Sequence, residues 1–427
     1  MVKRAPDLPD DIRELIDSEV AASIRWFWDH SNSDPTSPGF GLVNDRDDQL
    51  QYASLAATGF GLAAWVLGVQ RGELDRGQVL ERARGALRTM LRTANYAGWL
   101  VHFADLQTGQ AKPGVEYSTI DTALALDGAI VAASYFNDPE LLALTDQLLL
   151  QLDFTELIAE SNGKKVLRMA RTSTADGDYA EGGSAGWVSQ WDMTAEQLTL
   201  YLLAAAHPQI SSETANELWL GFARPVGEYG GHRVVYEWAG TLFVYHFPLS
   251  FWPFGTDQTG MDWWENARHA TAANAAWCRD NAIGSQTFAV GLWGPSASLG
   301  PDGYTVDGAA PARPPAPHST GTVPPSSMVG GAAFVPDDAA IGLRVLRDQY
   351  PQTWDDKYGF TDAINLDATD TDGGPWVAQA RFGLNKGHSA LLGSAALGDT
   401  TVWDAFESHP WVKRGIETLG IKRAEAP

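Results

Sequence analysis

Carboxylates and indoles share the same short stretches of this sequence. Trp187 and Trp191 precede Asp192 and Glu196, and Trp263 and Trp264 are bracketed by Asp262 and Glu265. An indole face stacks on the axial C–H groups of a sugar ring while neighbouring carboxylates bond its hydroxyls, so the pairing fits carbohydrate recognition. For any single tryptophan the alternative is core filling, since Trp is highly buried on average. Seventeen Trp in one chain make that account less complete. Cleaving a glycosidic bond needs a proton donor at the leaving oxygen and a second carboxylate that attacks carbon or activates water. Glu196 and Asp121 each fall at the start of an apolar, helix-patterned stretch. Helix capping is the competing explanation, because acidic groups stabilise a first helical turn. It weighs more on Asp121. Glu196 is the stronger proton donor: its helix is otherwise uncharged and its upstream flank is Trp-rich, so desolvation can hold the carboxyl protonated against the helix dipole.

Other constellations carry less. His102, His207, His232, His246, His269 and His388 are scattered without an HExxH or other paired spacing, so neither a catalytic transition metal nor any other cofactor is expected. Gly330-Gly331 lacks a nucleotide-binding context. Gly182-Gly183-Ser184-Ala185-Gly186 matches GxSxG, but a nucleophile elbow needs an apolar strand before it and Asp176 to Glu181 is polar and acidic, so it reads as a flexible loop. The single cysteine, Cys278, excludes an internal disulfide and any multi-thiolate zinc site.

The elements that must position these groups are helical. Asp11 to Asp29 and Gln78 to Arg92 carry one apolar stripe each, whereas Tyr52 to Val69, Ser118 to Tyr135 and Ala195 to Ala206 are apolar nearly all round. Pro139 to Leu152 is mixed, and further helical patterns run over Asp262 to Asn281, Asp337 to Tyr350, His388 to Leu397 and Val402 to Leu419. Alternation of fully buried with one-sided helices is what an inner ring wrapped by an outer ring produces, so the pattern predicts an all-α fold, an (α/α)6 barrel of six hairpins. An irregular bundle or an α-solenoid is the competitor, and no repeated motif favours the solenoid. Residues Arg224 to Trp264 form a long aromatic loop, Ala309 to Ser327 a Pro-rich lid, edge wrapping or strap, and no composition break divides residues 1–427, so a single domain is expected.

The chain holds 53 Asp plus Glu against 30 Lys plus Arg, a net charge of −23, which repels phosphate backbones and anionic membranes. Nucleic acid and membrane are not expected partners; oligomeric state is not legible. Apolar stretches such as Ala123 to Ala133 are too short to span a bilayer. Asp7, Asp10, Asp11 and Glu14 occupy the place of a signal peptide's apolar stretch, so a cytoplasmic location is the expectation.

Several short motifs, in order, are similar to a known family: Trp26-Phe27-Trp28, Gly41-Leu42-Val43-Asn44-Asp45-Arg46, Ala56-Ala57-Thr58-Gly59-Phe60-Gly61-Leu62, His102-Phe103, Ser118-Thr119-Ile120-Asp121-Thr122-Ala123-Leu124, Ala195-Glu196, Glu265-Asn266-Ala267-Arg268, Trp293-Gly294, Gly300-Pro301-Asp302-Gly303-Tyr304 and Tyr358-Gly359-Phe360-Thr361-Asp362-Ala363. The chain resembles the bacterial glucoamylase-like domain family, which includes the endo-β-1,2-glucanases of glycoside hydrolase family 144 and the β-1,2-glucan-transferring domains of cyclic glucan synthases. The resemblance implies an (α/α)6 barrel with a carbohydrate cleft, Glu196 as general acid, Asp121 in the substrate subsite, and Asp45, Arg46, Glu265, Arg268 and Asp362 lining or bracing the cleft. His102, Trp187, Trp191, Tyr245, His246, Trp293 and His388 complete the candidate substrate-binding set.

The departures bear on mechanism. Leu384-Asn385-Lys386-Gly387-His388 stands where the family reads Ile-Asp-Gln-Gly-Pro, and uncharged Gly393-Ser394-Ala395-Ala396-Leu397 replaces Ile-Glu-Asn-Tyr-Arg; Gly114 and Ser118 fall near the family's extra aspartates. An amide cannot act as a carboxylate base, so Asp121 or Asp362 takes that work, or the reaction or substrate differs. The leading expectation is a glycoside hydrolase acting on a glucan or related oligosaccharide. The alternatives are a glycosyl-transferring or isomerising enzyme on the same barrel and a carbohydrate-binding homologue without turnover.

Overall fold

The computed structural model describes residues 7–172 and 186–425. The GxSxG string lies outside the described residues apart from Gly186, as do the acidic run before it and the N-terminal Lys3 and Arg4. Helices dominate, and the chain divides into two compact units, one of Phe27–Ala223 with Thr401–Lys422 and one of Met1–Trp26 with Arg224–Thr400 and Arg423–Pro427. They are called here the first-half and second-half units.

In the first-half unit, the stretches read as apolar all round become helices Leu55–Gln70, Thr119–Phe136 and Leu198–Ala206, buried along nearly their whole length. One-sided helices Arg76–Arg92, Pro139–Leu150 and Ser212–Gly221 accompany them. Helices Leu55–Gln70 and Thr119–Phe136 cross backbone to backbone: a Cβ on Gly59 would lie 2.1 Å from the Leu124 carbonyl oxygen, and one on Gly128 2.0 Å from that of Gly59. Only glycine permits that approach. Thr119–Phe136 is long and apolar enough to cross a membrane by length and composition alone, yet 83% of it is buried inside the protein. Buried within it, Asp127 has its carboxyl pKa pushed well above the ordinary carboxylate range by desolvation.

The sequence reading needs correction at several boundaries. Tyr52–Ser54 is a strand, pairing antiparallel with Phe103–Asp105, and the helix starts only at Leu55, capped by Ser54. Val402 to Leu419 is two helices, Thr401–Ser408 and Pro410–Leu419, because Pro410 has no N–H to continue the first and is favoured in the first turn of the second. Strands Ile158–Ser161, Lys164–Arg171 and Trp187–Gln190 join Tyr117–Ser118 in an antiparallel sheet that periodicity did not reveal.

In the second-half unit, helices Phe243–Phe251, Pro325–Gly331 and Gly383–Ala396 are the buried ones, with Trp263–Asp280, Pro336–Gln349 and all of Asp10–Asp29 but its last three residues more one-sided. The stretch Arg224 to Trp264 is therefore no simple loop. It holds a hairpin, Val226–Tyr229 with His232–Val235, and the Phe243–Phe251 helix. The Pro-rich stretch is tied down by the buried Asp307, which accepts from the Thr320 N–H at 2.7 Å and the Ser319 hydroxyl at 3.2 Å.

A buried ion pair anchors this unit. Lys386 Nζ lies 2.6 Å from Glu19 Oε1 and donates to the Tyr358 carbonyl at 2.8 Å, while Glu19 Oε2 accepts from the Phe360 N–H at 2.9 Å. Gly359 between them has φ +70°, and a Cβ there would sit 2.1 Å from Glu19 Oε2. Sequence and ion pair together fix the Tyr358–Asp362 segment.

Candidate active site

In the first-half unit, strand Tyr117–Ser118 runs directly into the Thr119–Phe136 helix. Ser118 is the N-cap: its Oγ accepts from the Asp121 N–H at 3.2 Å, and its hydroxyl donates to Asp121 Oδ2. Asp121 thus has a structural duty, as the capping explanation held, but only through one oxygen. Oδ1 faces His102 Nε2 at 3.4 Å, and the residue is 7% exposed. On the other side of the ring, His102 Nδ1 lies 2.7 Å from Glu116 Oε1, and the His102 N–H donates to the Glu116 carbonyl at 3.0 Å. Phe103 stacks on the imidazole at 3.7 Å between centroids.

The charges around His102 decide its state. Burial alone pushes an imidazole pKa down, but Asp121, Glu116 and Asp45 outweigh it and raise His102 to about 9. His102 is therefore an imidazolium at neutral pH. The same contact keeps Glu116 below its ordinary value despite burial.

The segment carrying Glu196 is pinned to this helix start. Trp191 donates its indole N–H to Thr119 Oγ1 at 3.1 Å, its backbone N–H bonds the Leu167 carbonyl at 2.8 Å, and its carbonyl accepts from the Tyr201 hydroxyl at 3.0 Å. Glu196 lies half-buried in a bend, two residues before the helix begins at Leu198. It therefore stands outside the first turn, where the sequence reading had put it. Trp187, on strand Trp187–Gln190, meets the edge of Tyr96 at 6.0 Å and has the Arg168 guanidinium 5.4 Å from its ring. Asp45 and Arg46 occupy the loop before Tyr52, where Arg46 Nε bonds Asp48 Oδ1 at 2.7 Å.

The second-half unit holds the remaining candidates. Asp362 is buried; its Oδ2 accepts from the Leu299 N–H at 2.7 Å, and its Oδ1 from the Asn385 amide at 2.9 Å and the Phe382 N–H at 3.2 Å. The amide that departs from the family pattern is thus a donor to Asp362. His246 and His388 are in the core: His246 Nδ1 lies 3.0 Å from His388 Nε2 and its Nε2 2.8 Å from Thr271 Oγ1. Burial drives both imidazoles neutral, His246 far below its ordinary value and His388 to about 3. Tyr245, next to His246 on its helix, is buried, and its phenol is pushed well up by desolvation and then by Glu237. Trp293 is buried with its indole N–H on the Asp338 carbonyl at 3.0 Å. Exposed Glu265 and half-buried Arg268 stand at the start of Trp263–Asp280 and bond each other at 2.8 Å. Glu265 also lines an open cleft of about 510 Å³ with Arg233, Asp262 and His269.

Glu116 was missed by sequence reasoning. The signal was present: residues i and i+2 of an extended segment share a face, and Glu116 is two before the capping Ser118. Among the described residues no group of His, Cys, Asp and Glu could hold a metal ion.

Comparison with known proteins shows the family and the fold. The chain is 23% identical to the exo-β-1,2-glucooligosaccharide sophorohydrolase (non-reducing end) of Parabacteroides distasonis, over 97% of this chain and 59% of the relative. It thus spans about three-fifths of the length of that curated relative. Its structure resembles the endo-β-1,2-glucanase of Chitinophaga pinensis with a TM-score of 0.79 at 22% identity, covering 96% of this chain and 98% of that one. It also resembles the endo-β-1,2-glucanase of Talaromyces funiculosus, solved in complex with sophorose, with a TM-score of 0.61 at 13% identity over 95% and 90% of the two chains. At these identities the likeness establishes a shared fold. The Glycoamylase family model, described as "Putative glucoamylase", matches residues 188–410, just over half of the sequence, and the chain therefore belongs to that family.

Proposed function

We propose that the protein is a glycoside hydrolase that cleaves β-1,2-linked glucan oligosaccharides, with Glu196 as general acid and Asp121 as the partner carboxylate. The observation that carries this is the Trp191 bridge, whose bond to Thr119 ties the segment bearing Glu196 to the helix start bearing Asp121. Two carboxylates set at the beginnings of neighbouring apolar helices are the equipment that glycosidic hydrolysis needs. In the reaction the Glu196 proton passes to the leaving oxygen as the bond from the anomeric carbon to that oxygen breaks. Water forms the new bond to that carbon and gives its proton to Asp121. His102, an imidazolium 3.4 Å from Oδ1, orients the Asp121 carboxylate for that role. Asp362 is assigned a bracing role, since it already accepts three donors from its own unit.

The family membership and the names of the relatives supply the substrate class. The order of helices, apolar ones alternating with one-sided ones in each unit, supports an (α/α)6 barrel as the finer architecture. Asn385, where the family carries an acid, favours a second reading in which the same site transfers glycosyl groups. Its products would conserve the number of glycosidic bonds.

Reducing-end release from β-1,2-glucans and a broad oligosaccharide panel tests the proposal, with Glu196→Gln alongside. The wild type should release sugar, and the variant should lose about 100-fold or more. Equal rates would remove Glu196 from its role, no release from any β-1,2-linked substrate would overturn the linkage, and no release from the whole panel would overturn the hydrolase reading.

A further inference from the structure

The His102 environment contains more charge than binding a neutral sugar requires. Four elements meet at the ring: Asp45 in the loop before Tyr52, Phe103 beneath it, Glu116 ahead of strand Tyr117–Ser118, and Asp121 in the helix. The charge of Lys112 reaches Glu116 as well as that of His102. The geometry is directional. Nδ1 is taken by Glu116 at 2.7 Å, closer than any contact on the opposite side, so Nε2 is turned to Asp121 at 3.4 Å. The His102 backbone bonds the Glu116 carbonyl as well, so the carboxylate and the ring are held by one strand pairing. The imidazole side chain is 25% exposed, so protons can still reach it.

We propose that Glu116 is a positioning residue of the hydrolytic site: its carboxylate holds the His102 ring at Nδ1, so that Nε2 is turned to Asp121 Oδ1. This rests on the hydrolase reading for its consequence in turnover, but not for the coupling of Glu116 to His102. With Glu116 neutralised, His102 loses its closest anion, its proton leaves at lower pH, and Asp121 loses its cationic neighbour in the range where the wild type retains it.

Two measurements on the full chain separate these links. In isotope-labelled protein followed by NMR, the His102 transition of the wild type is expected at about 9, and Glu116→Gln should lower it by about one unit or more. Asp45→Asn, acting through space alone, should lower it less; the reverse ranking, or an unmoved transition in Glu116→Gln, overturns the proposal. In kinetics on a β-1,2-linked oligosaccharide, Glu116→Gln should stay within about twofold of the wild-type kcat near pH 5.5, where His102 is protonated in both, and fall about fivefold below the wild type at pH 9 with KM little changed. Glu116→Asp should restore the alkaline limb. Equal loss at both pH values, with unchanged unfolding, overturns the positioning role in favour of a structural one. A wild type without activity on any glucan, together with a shifted His102 transition, would sink the hydrolase reading while leaving the coupling intact.

Discussion

The His102 cluster of the first-half unit and the buried core of the second-half unit treat their ionisable side chains in opposite ways. In the first-half unit a charged imidazole stands among three carboxylates, with its side chain a quarter exposed. In the second-half unit the imidazoles of His246 and His388 are sealed and neutral, Lys386 and Glu19 are closed on each other, and Asp362 is surrounded by donors from its own neighbourhood. Charge that is kept near solvent can act on a ligand, whereas charge satisfied inside the protein holds the fold. The comparison supports the proposal that puts chemistry at the first cluster and architecture at the second.

The contrast can be broken most severely at the buried ion pair. Lys386→Met should cost about 3–5 kcal/mol in urea unfolding, because it leaves Glu19 buried without its cation. The double variant Lys386→Met/Glu19→Leu should regain much of that loss, and a single variant as stable as the wild type would remove the architectural role. A smaller effect is expected at Glu237, buried in the second-half unit with its oxygens on the Ala239 and Thr241 N–H groups at 2.8 and 2.6 Å. Burial raises its pKa from 4.5 to about 7. Between those two values the unfolded chain has released this proton and the folded chain has not, so stability falls as pH rises through the window and levels off above it. Glu237→Gln should flatten that part of the stability profile by about 2–3 kcal/mol, and an unchanged slope would show that Glu237 is not its source. The smallest effect belongs to Trp191→Phe, which removes one indole bond to Thr119 and should cost about 1 kcal/mol of stability. A loss of turnover larger than the stability change would sharpen the claim that this bridge sets the position of Glu196.

Much of this helical order was legible because a buried helix reads differently from a surface one. Leu55–Gln70 and Thr119–Phe136 have apolar residues on every face, and their ends carry Ser54 and Ser118 as caps. Phe243–Phe251 was hidden by Pro248 within it and by rings on all sides, which read as an aromatic loop. The bend before Leu198 was hidden too, since nothing in the run Ala195-Glu196-Gln197 breaks helical patterning. For the site, Asp121 and His102 were found separately. Their partnership with Glu116 arises from pairing between segments 14 residues apart, and strand pairing of such short elements leaves little trace in periodicity. Burial was the other blind spot: His246, His388 and Trp293 looked like cleft residues by type, and their enclosure follows from packing of helices distant in sequence.

The most direct test sets Asp121→Asn beside Asp362→Asn, with kcat on a β-1,2-linked oligosaccharide and urea unfolding measured for both. Asp121→Asn is expected to lower kcat by about 100-fold or more with little change in stability, and Asp362→Asn to lower unfolding free energy by about 1–3 kcal/mol with the smaller effect on turnover. Full turnover in Asp121→Asn, with Asp362→Asn inactive yet as stable as the wild type, would contradict the assignment of the chemistry to the first-half unit.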